Sequence, residues 1–300
     1  MQPANGTVED YTQTGDVRVC TRDTYFIPYG GEKDAAQICN ENFGEEANCE
    51  AISPLAINTG GCAMKRALQQ VDCFTKLLGG YTDISCCYDR EISFNWRTFD
   101  GRNWMSPVRD HGNCGSCVAF AAVGVIEAKN NLNNTNPDLD IDLSEQELVS
   151  ECSSSIINCD GGGQPDQAID YVLSNGLRTE ECFPYLGIDA GCTPRCDVRH
   201  AIASKYYVEI NDDIIKRKLV DSGPIVVTVK WSEIAFDKDM VGRFVIDDAE
   251  ELYHSVVLVG YNEVGGIWMF KNSWGTWWGD NGYGKFAYDG CTFYNALGVE

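Results

Sequence analysis

From Ser106 to Phe120 the chain runs SPVRDHGNCGSCVAF. Two glycines, Gly112 and Gly115, lead into Cys117, and an almost unbroken apolar run follows from Val118 to Ile126. With small residues at Ala121, Ala122 and Gly124, that run predicts a closely packed, buried helix from Cys117 to about Asn130. Cys117 then sits where a flexible turn becomes a helix N-terminus. The partial positive charge there favours a thiolate, the nucleophilic form of cysteine. The glycines let the backbone approach a ligand, and backbone N–H groups at this point can receive an oxyanion. Taken alone, Cys114-x-x-Cys117 fits a redox pair, a metal half-site or part of a disulfide framework equally well.

A cysteine nucleophile needs a base, and the base needs a residue to orient it. The chain has 3 histidines. His200 lies in a polar stretch and reads as a surface residue; His111 lies just upstream of Cys117. His254 precedes the apolar run Ser255–Gly260, which places it at a strand edge. Asn272, in KNSWG, ends another predicted strand, where an amide can hold the imidazole tautomer and Trp274 can shield the bond. By spacing alone, a structural histidine and an ordinary turn asparagine fit these two positions as well.

Composition narrows the setting. The 300 residues carry a net charge of -22, which argues against nucleic acid and against anionic membranes as partners. The 15 cysteines, spread along the chain, indicate a disulfide framework in an oxidising compartment, and their odd number leaves one thiol over. The expected location is therefore secreted or the lumen of an acidic, oxidising compartment. The first residues, MQPANGTVEDYTQTG, hold no apolar signal core, so an export signal is expected outside this sequence.

Residues 1–90 differ from residues 91–300. They hold seven cysteines and frequent glycine turns, and read as a small stapled module with one helix from Cys62 to Leu78. Beyond them, Ser144 with Glu147 reads as a capping box opening a helix. Pro165 to Asn175, closed by Gly176, and Asn211 to Val220 are further helices. Ile225–Val229, Ser255–Gly260, Ile267–Lys271 and Gly284–Tyr288 read as strands. Helices first and strands after predict an α+β fold with segregated subdomains.

Several motifs occur in one order: Asn95-Trp-Arg97, Cys114-Gly-Ser-Cys117, Leu143-Ser-Glu-Gln-Glu-Leu148, Cys159-Asp-Gly-Gly162, Phe183-Pro-Tyr185, His254, and Asn272 to Gly279. In this the chain, from about residue 92 to 300, resembles the papain and cathepsin family of cysteine peptidases. The resemblance implies a helical left domain and a β-barrel-like right domain with the site in the cleft between them. It implies Cys117 as nucleophile, His254 as general base and Asn272 as orienter, without metal or other cofactor, acting on a protein or peptide substrate as a monomer. Peptide hydrolysis would pass through a thioacyl-enzyme, with endopeptidase action as the default. An exopeptidase whose cleft the N-terminal module narrows, and a non-catalytic binding protein of this fold, are the alternatives.

The same resemblance assigns the remaining site positions. Gly161 and Gly162 would pair with the substrate backbone, and Trp278 would line the leaving-group side. Pro165, Thr228, Leu252, Tyr253, Ser255 and Ala296 would wall a neutral, fairly apolar pocket. The oxyanion hole would combine the Cys117 N–H with His111, which stands where the family usually has Gln. Val118 replaces the usual Trp after the nucleophile, and one extra residue follows Gly162. By family position Cys114 bonds Cys159 and Cys152 bonds Cys192. Cys182–Cys196 makes a third pair, and Cys117 is the free thiol. Cys291 is then expected to bond to the N-terminal module, whose residues form either a prosegment or a retained extension.

Overall fold

The computed structural model describes residues 16–25, 49–51, 59–66, 69–78, 81–91, 93–139, 141–245 and 251–300; up to residue 92 it describes the backbone. The chain divides into two compact units, Met1–Ile92 and Ser93–Glu300.

In the first unit β1 (Asp16–Tyr25), β2 (Cys49–Ala51), β3 (Thr59–Arg66), β4 (Gln69–Leu78) and β5 (Tyr81–Glu91) form an antiparallel sheet ordered β1-β5-β4-β3-β2. The helix expected from Cys62 to Leu78 is instead the paired strands β3 and β4, with Cys62 opposite Cys73. Lying between β3 and β5, β4 satisfies its backbone groups from both sides, as a helix would internally. A short apolar pattern does not separate these two solutions, and β-branched Val71 and Thr75 suit the strand.

The second unit is helical in its first half and a sheet in its second. Helix α1 (Cys117–Asn133) is apolar on nearly every face, and Ala119, Ala122, Val123, Val125, Ile126 and Ala128 are all buried. Its neighbours are α2 (Glu145–Leu148) and α3 (Pro165–Asn175), while α4 (Asp212–Ser222) packs on the sheet. Pro165 at the start of α3 and Gly176 at its end act as the sequence suggests, and the Asn211 side chain caps α4 by accepting from Asp213 and Ile214 N–H.

The capping box at Ser144 is only half formed. Ser144 Oγ accepts from Glu147 N–H (3.1 Å), but the Glu147 carboxylate takes Tyr171 OH and the guanidinium groups of Arg178 and Arg199 instead of reaching back.

The remaining strands are β6 (Ser93–Asn95), β7 (Leu177–Arg178), β8 (Arg199–His200), β9 (Lys205–Tyr207), β10 (Ile225–Lys230), β11 (Ile234–Phe236), β12 (Val241–Phe244), β13 (Tyr253–Asn262), β14 (Ile267–Lys271), β15 (Tyr283–Ala287) and β16 (Phe293–Val299). The main sheet runs β11-β12-β15-β14-β13-β10-β16-β9, with β6 also paired to β13, and β7 pairs β8. Central β13 is almost wholly buried, and α1 lies against it. At Gly260 the β6 backbone comes so close that a Cβ would run into the Phe94 carbonyl.

Glu127 on α1, Glu145 on α2 and the half-buried Glu180 form a group of acids close enough to repel one another. Burial pushes Glu127 up despite the nearby Lys271 ammonium, and pushes Glu145 well up, with Glu127 adding repulsion. Burial also raises Glu180 from 4.5 to about 7, and its Oε2 has no hydrogen-bond partner.

Two outcomes follow from this packing. Gly260→Ala should lower stability by about 1–3 kcal/mol, read as a lower urea midpoint at unchanged m-value. The unfolded chain loses the Glu180 proton near pH 4.5 and the folded chain near 7. Ionisation therefore opposes folding, and stability should fall as pH rises through that window. Thermal melts of Glu180→Gln should show a smaller loss between about pH 5 and 7 than wild type; an identical loss would remove Glu180 as its source.

Candidate active site

Cys117 is the first residue of α1, and its position is set by how that helix begins. The hydroxyl of Ser116, one residue earlier, makes no cap; it is held by Tyr185 OH at 2.6 Å. The first-turn N–H groups of Cys117 and Val118 are therefore left for the thiol. Burial pushes the Cys117 thiol up from its usual range, while the N–H groups of Ser255, Val118 and Cys117 itself pull it down. Among the residues whose side chains are described, Cys117 and Cys291 are free. The expected bridges Cys114–Cys159, Cys152–Cys192 and Cys182–Cys196 are formed; the expected bond from Cys291 to the N-terminal module involves side chains that lie outside the described residues.

His254, on β13, is buried and lines the same cleft as Cys117. Its Nε2 lies 2.8 Å from Asn272 Oδ1, and that oxygen also accepts from Ser273 N–H at 2.8 Å. The backbone donor fixes which end of the amide is oxygen, so Nε2 must carry the proton. Nδ1 is left as the basic nitrogen. Trp231 and Trp274 flank the ring at 4.8 and 4.9 Å between centroids and keep water from the His254–Asn272 bond. Burial pushes His254 down to about 4, opposed by Asn272 and assisted by nearby His111. Each of the two groups, taken alone, thus prefers to be neutral.

His111 lines the cleft but does not offer the expected oxyanion donor in this geometry. Its Nδ1 is 3.0 Å from Gly112 O, and its Nε2 accepts from Trp274 Nε1–H at 2.9 Å. Both ring nitrogens are engaged, which leaves the Cys117 N–H as the available half of the expected hole.

The cleft has a volume of about 710 Å³. Thr228, Leu252, Tyr253 and Ser255 line it as expected, but three other positions differ. Ala296 is buried in the core. Regular β10–β16 pairing sets Thr228 opposite Asn295 and Val227 opposite Ala296, and side chains alternate along a strand. Asn295 therefore faces the cleft instead, and Tyr294, the extra residue at the bulge after Thr228, lines it too. Pro165 is buried as the first residue of α3, and Gln164 takes its place on the wall. Trp278 packs behind Trp274 and Trp231 (5.4 and 6.2 Å), outside the lining.

Gly161 and Gly162 border the cleft, but their N–H groups are spent on Asn158, at 2.6 and 2.9 Å. Gly163, where a Cβ would lie 2.7 Å from the Ile157 side chain, is the lining residue next in line to meet an extended ligand backbone. The lining is mainly apolar, as expected, but it carries several polar groups. The Thr228 and Ser255 hydroxyls bond each other at 2.9 Å, Asn295 Oδ1 is buried without a partner, and Asp160 and Glu251 stand on the rim. Trp231 and Asn295 were not singled out from the sequence, and Tyr185 stood out only as part of a motif. Only the alternation of β10 and β16 carried a signal for Asn295.

Residues 91–297 match the family model described as papain family cysteine protease. The chain is 35% identical over 199 residues to probable cysteine protease RD21C of Arabidopsis thaliana, covering 64% of this chain and 42% of that protein. It is 36% identical over 206 residues to a cathepsin L-like peptidase of Aedes aegypti, covering 64% and 58%. The chain thus spans less than two thirds of these relatives' lengths. Digestive procathepsin L2 from the Tenebrio molitor larval midgut has a similar structure, with a TM-score of 0.57 at 29% identity, covering 70% of this chain and 68% of that one.

The two free thiols should differ in reactivity. Cys291 is pushed up to about 12, mainly by burial. At about pH 6, iodoacetamide should label Cys117 at least roughly tenfold faster than Cys291, measured by peptide mapping, and His254→Ala should remove most of that advantage. Equal labelling rates would show that Cys117 is not activated.

Proposed function

Because the chain belongs to the papain family of cysteine proteases, we propose that it hydrolyses peptide bonds with Cys117, His254 and Asn272. The observation that carries this is the His254 Nε2–Asn272 Oδ1 bond, which fixes Nδ1 as the free base in the cleft that holds the only free thiol among its described lining residues. The Cys117 thiolate attacks the scissile carbonyl, and the Cys117 N–H at the start of α1 receives the oxyanion. His254 returns its proton to the leaving amine, and a thioester remains. His254 then takes a proton from water as the water attacks, which releases the acid and restores the thiol.

The substrate runs extended past Gly163, with one side chain entering the pocket of Thr228, Ser255 and Asn295. The hydroxyl pair and the unpartnered amide oxygen suit a side chain that can donate hydrogen bonds, and the acidic rim suits a basic one. Endopeptidase action is the preferred reading. The three disulfides support an oxidising compartment.

Two measurements test this. An unfolded protein substrate should yield internal fragments by mass spectrometry, and Cys117→Ala should yield none. Release of dipeptides alone would mean exopeptidase action, and an inert but correctly folded wild type would mean a binding protein. Among dipeptidyl fluorogenic substrates, Arg in the pocket position should exceed Leu in kcat/KM, and Asn295→Leu should reverse the order by roughly tenfold.

A further inference from the structure

His111 is half-buried beside Cys117, and each of its ring nitrogens has a partner of fixed polarity. Gly112 O only accepts, so Nδ1 carries the proton; the Trp274 indole N–H only donates, so Nε2 is a bare lone pair. Neutral His111 is thereby locked in one tautomer with no N–H for the cleft. Protonation puts a hydrogen on Nε2, directly against the indole hydrogen. Two donors then face each other with no acceptor, so the contact must open. The ring gains an N–H at the moment it loses the partner that held it.

We propose that His111 is a catalytic oxyanion donor that works only as an imidazolium, its bond to Trp274 being the latch that holds the neutral ring out of the hole. This rests on the peptidase reading above.

The charges around it fit that role. Asp110, on the same loop, attracts the imidazolium, and Cys117, on α1, does so as thiolate. On β13, His254 repels it when charged, with the two rings 6.1 Å apart. Tyr185, in the segment after β7, donates its hydroxyl to the His111 carbonyl at 3.0 Å and keeps the loop in place as the ring turns. Trp274 contributes no charge, and Phe120 packs against the ring at 6.1 Å. Burial opposes the charged form and keeps it below the ordinary imidazole range. In the resting enzyme, the Cys117 thiolate offsets two neighbouring cations. Attack on the carbonyl moves that negative charge to the oxyanion without removing it, so His111 keeps an anionic partner through the transition state.

The test compares two reactions at Cys117. Alkylation by iodoacetamide needs the thiolate but no oxyanion hole, whereas hydrolysis of a dipeptidyl coumarin substrate needs both. In wild type, kcat/KM should fall on the alkaline side while the alkylation rate does not, because the thiolate persists there. In His111→Gln the hydrolysis limb should move to higher pH, where it reports only loss of the His254 imidazolium, with kcat/KM at about pH 8 raised by roughly tenfold. Trp274→Phe, which removes the donor that favours neutral His111, should move the hydrolysis limb to higher pH.

An independent readout is the Trp274 indole N–H resonance, assigned by its loss in Trp274→Phe. It should shift between about pH 4 and 8, together with the wild-type hydrolysis limb. An alkaline hydrolysis limb at the same pH in wild type and His111→Gln, or an indole resonance static over that range, would overturn the proposal. If wild type alkylates normally but hydrolyses no peptide at any pH, the peptidase reading fails, and a static indole would then show that the latch is absent as well.

Discussion

The hydrogen bond from His254 Nε2 to Asn272 Oδ1 joins the start of β13 to the residue that follows β14. The orientation of the imidazole depends on it, and so does the identity of the nitrogen that is left basic. The sheet exists on both sides of this bond. Val257 pairs with Lys271 and Leu258 with Phe270, so β13 and β14 are in register within three residues of the imidazole. Trp231, at the end of β10, and Trp274 then seal the ring from either side. Bonds of this kind strengthen when water is kept out. The same exclusion of water makes the imidazole alone reluctant to ionise.

The nucleophile comes from the other half of the fold, and its setting depends on Tyr185. That phenol holds the Ser116 hydroxyl and the His111 carbonyl, while its own N–H is taken by Glu180 Oε1 at 2.7 Å. An ordinary serine cap would satisfy the first turn of α1 internally. Withdrawing it leaves the helix N-terminus open toward the thiol. The acids Glu127, Glu145 and Glu180 set the working conditions of this arrangement, because their protonated forms suit the fold better than their charged ones.

Much of this was legible in the residues. Strand Ile267–Lys271 and helix Pro165–Asn175 have the bounds their glycine and proline punctuation suggests, and motif order alone singled out Cys117, His254 and Asn272, the three residues proposed to act together. What escaped the sequence shares a cause: each feature depends on where a neighbouring strand or turn spends its hydrogen bonds. The register of β16 against β10 decides that Asn295, and not Ala296, meets the cleft. The Asn158 turn decides that Gly161 and Gly162 are occupied and Gly163 is not. The pairing of β3 with β4 overrides a helical pattern of apolar residues. The tautomer of His111 is set by an indole 163 positions away in sequence.

The bridge between Cys114 and Cys159 places a bonded sulfur three residues from one that must stay unbonded. Gly115 N–H reinforces that clamp by donating to Cys159 O at 2.8 Å, so the bridge holds together the nucleophile turn and the glycine edge of the groove. On the proposed function, one thiol must stay reduced beside a bridge that stays oxidised, which confines the protein to a redox window. Exposure alone does not set that window, since Cys114 is 2% exposed but Cys159 is half-buried, as Cys117 is.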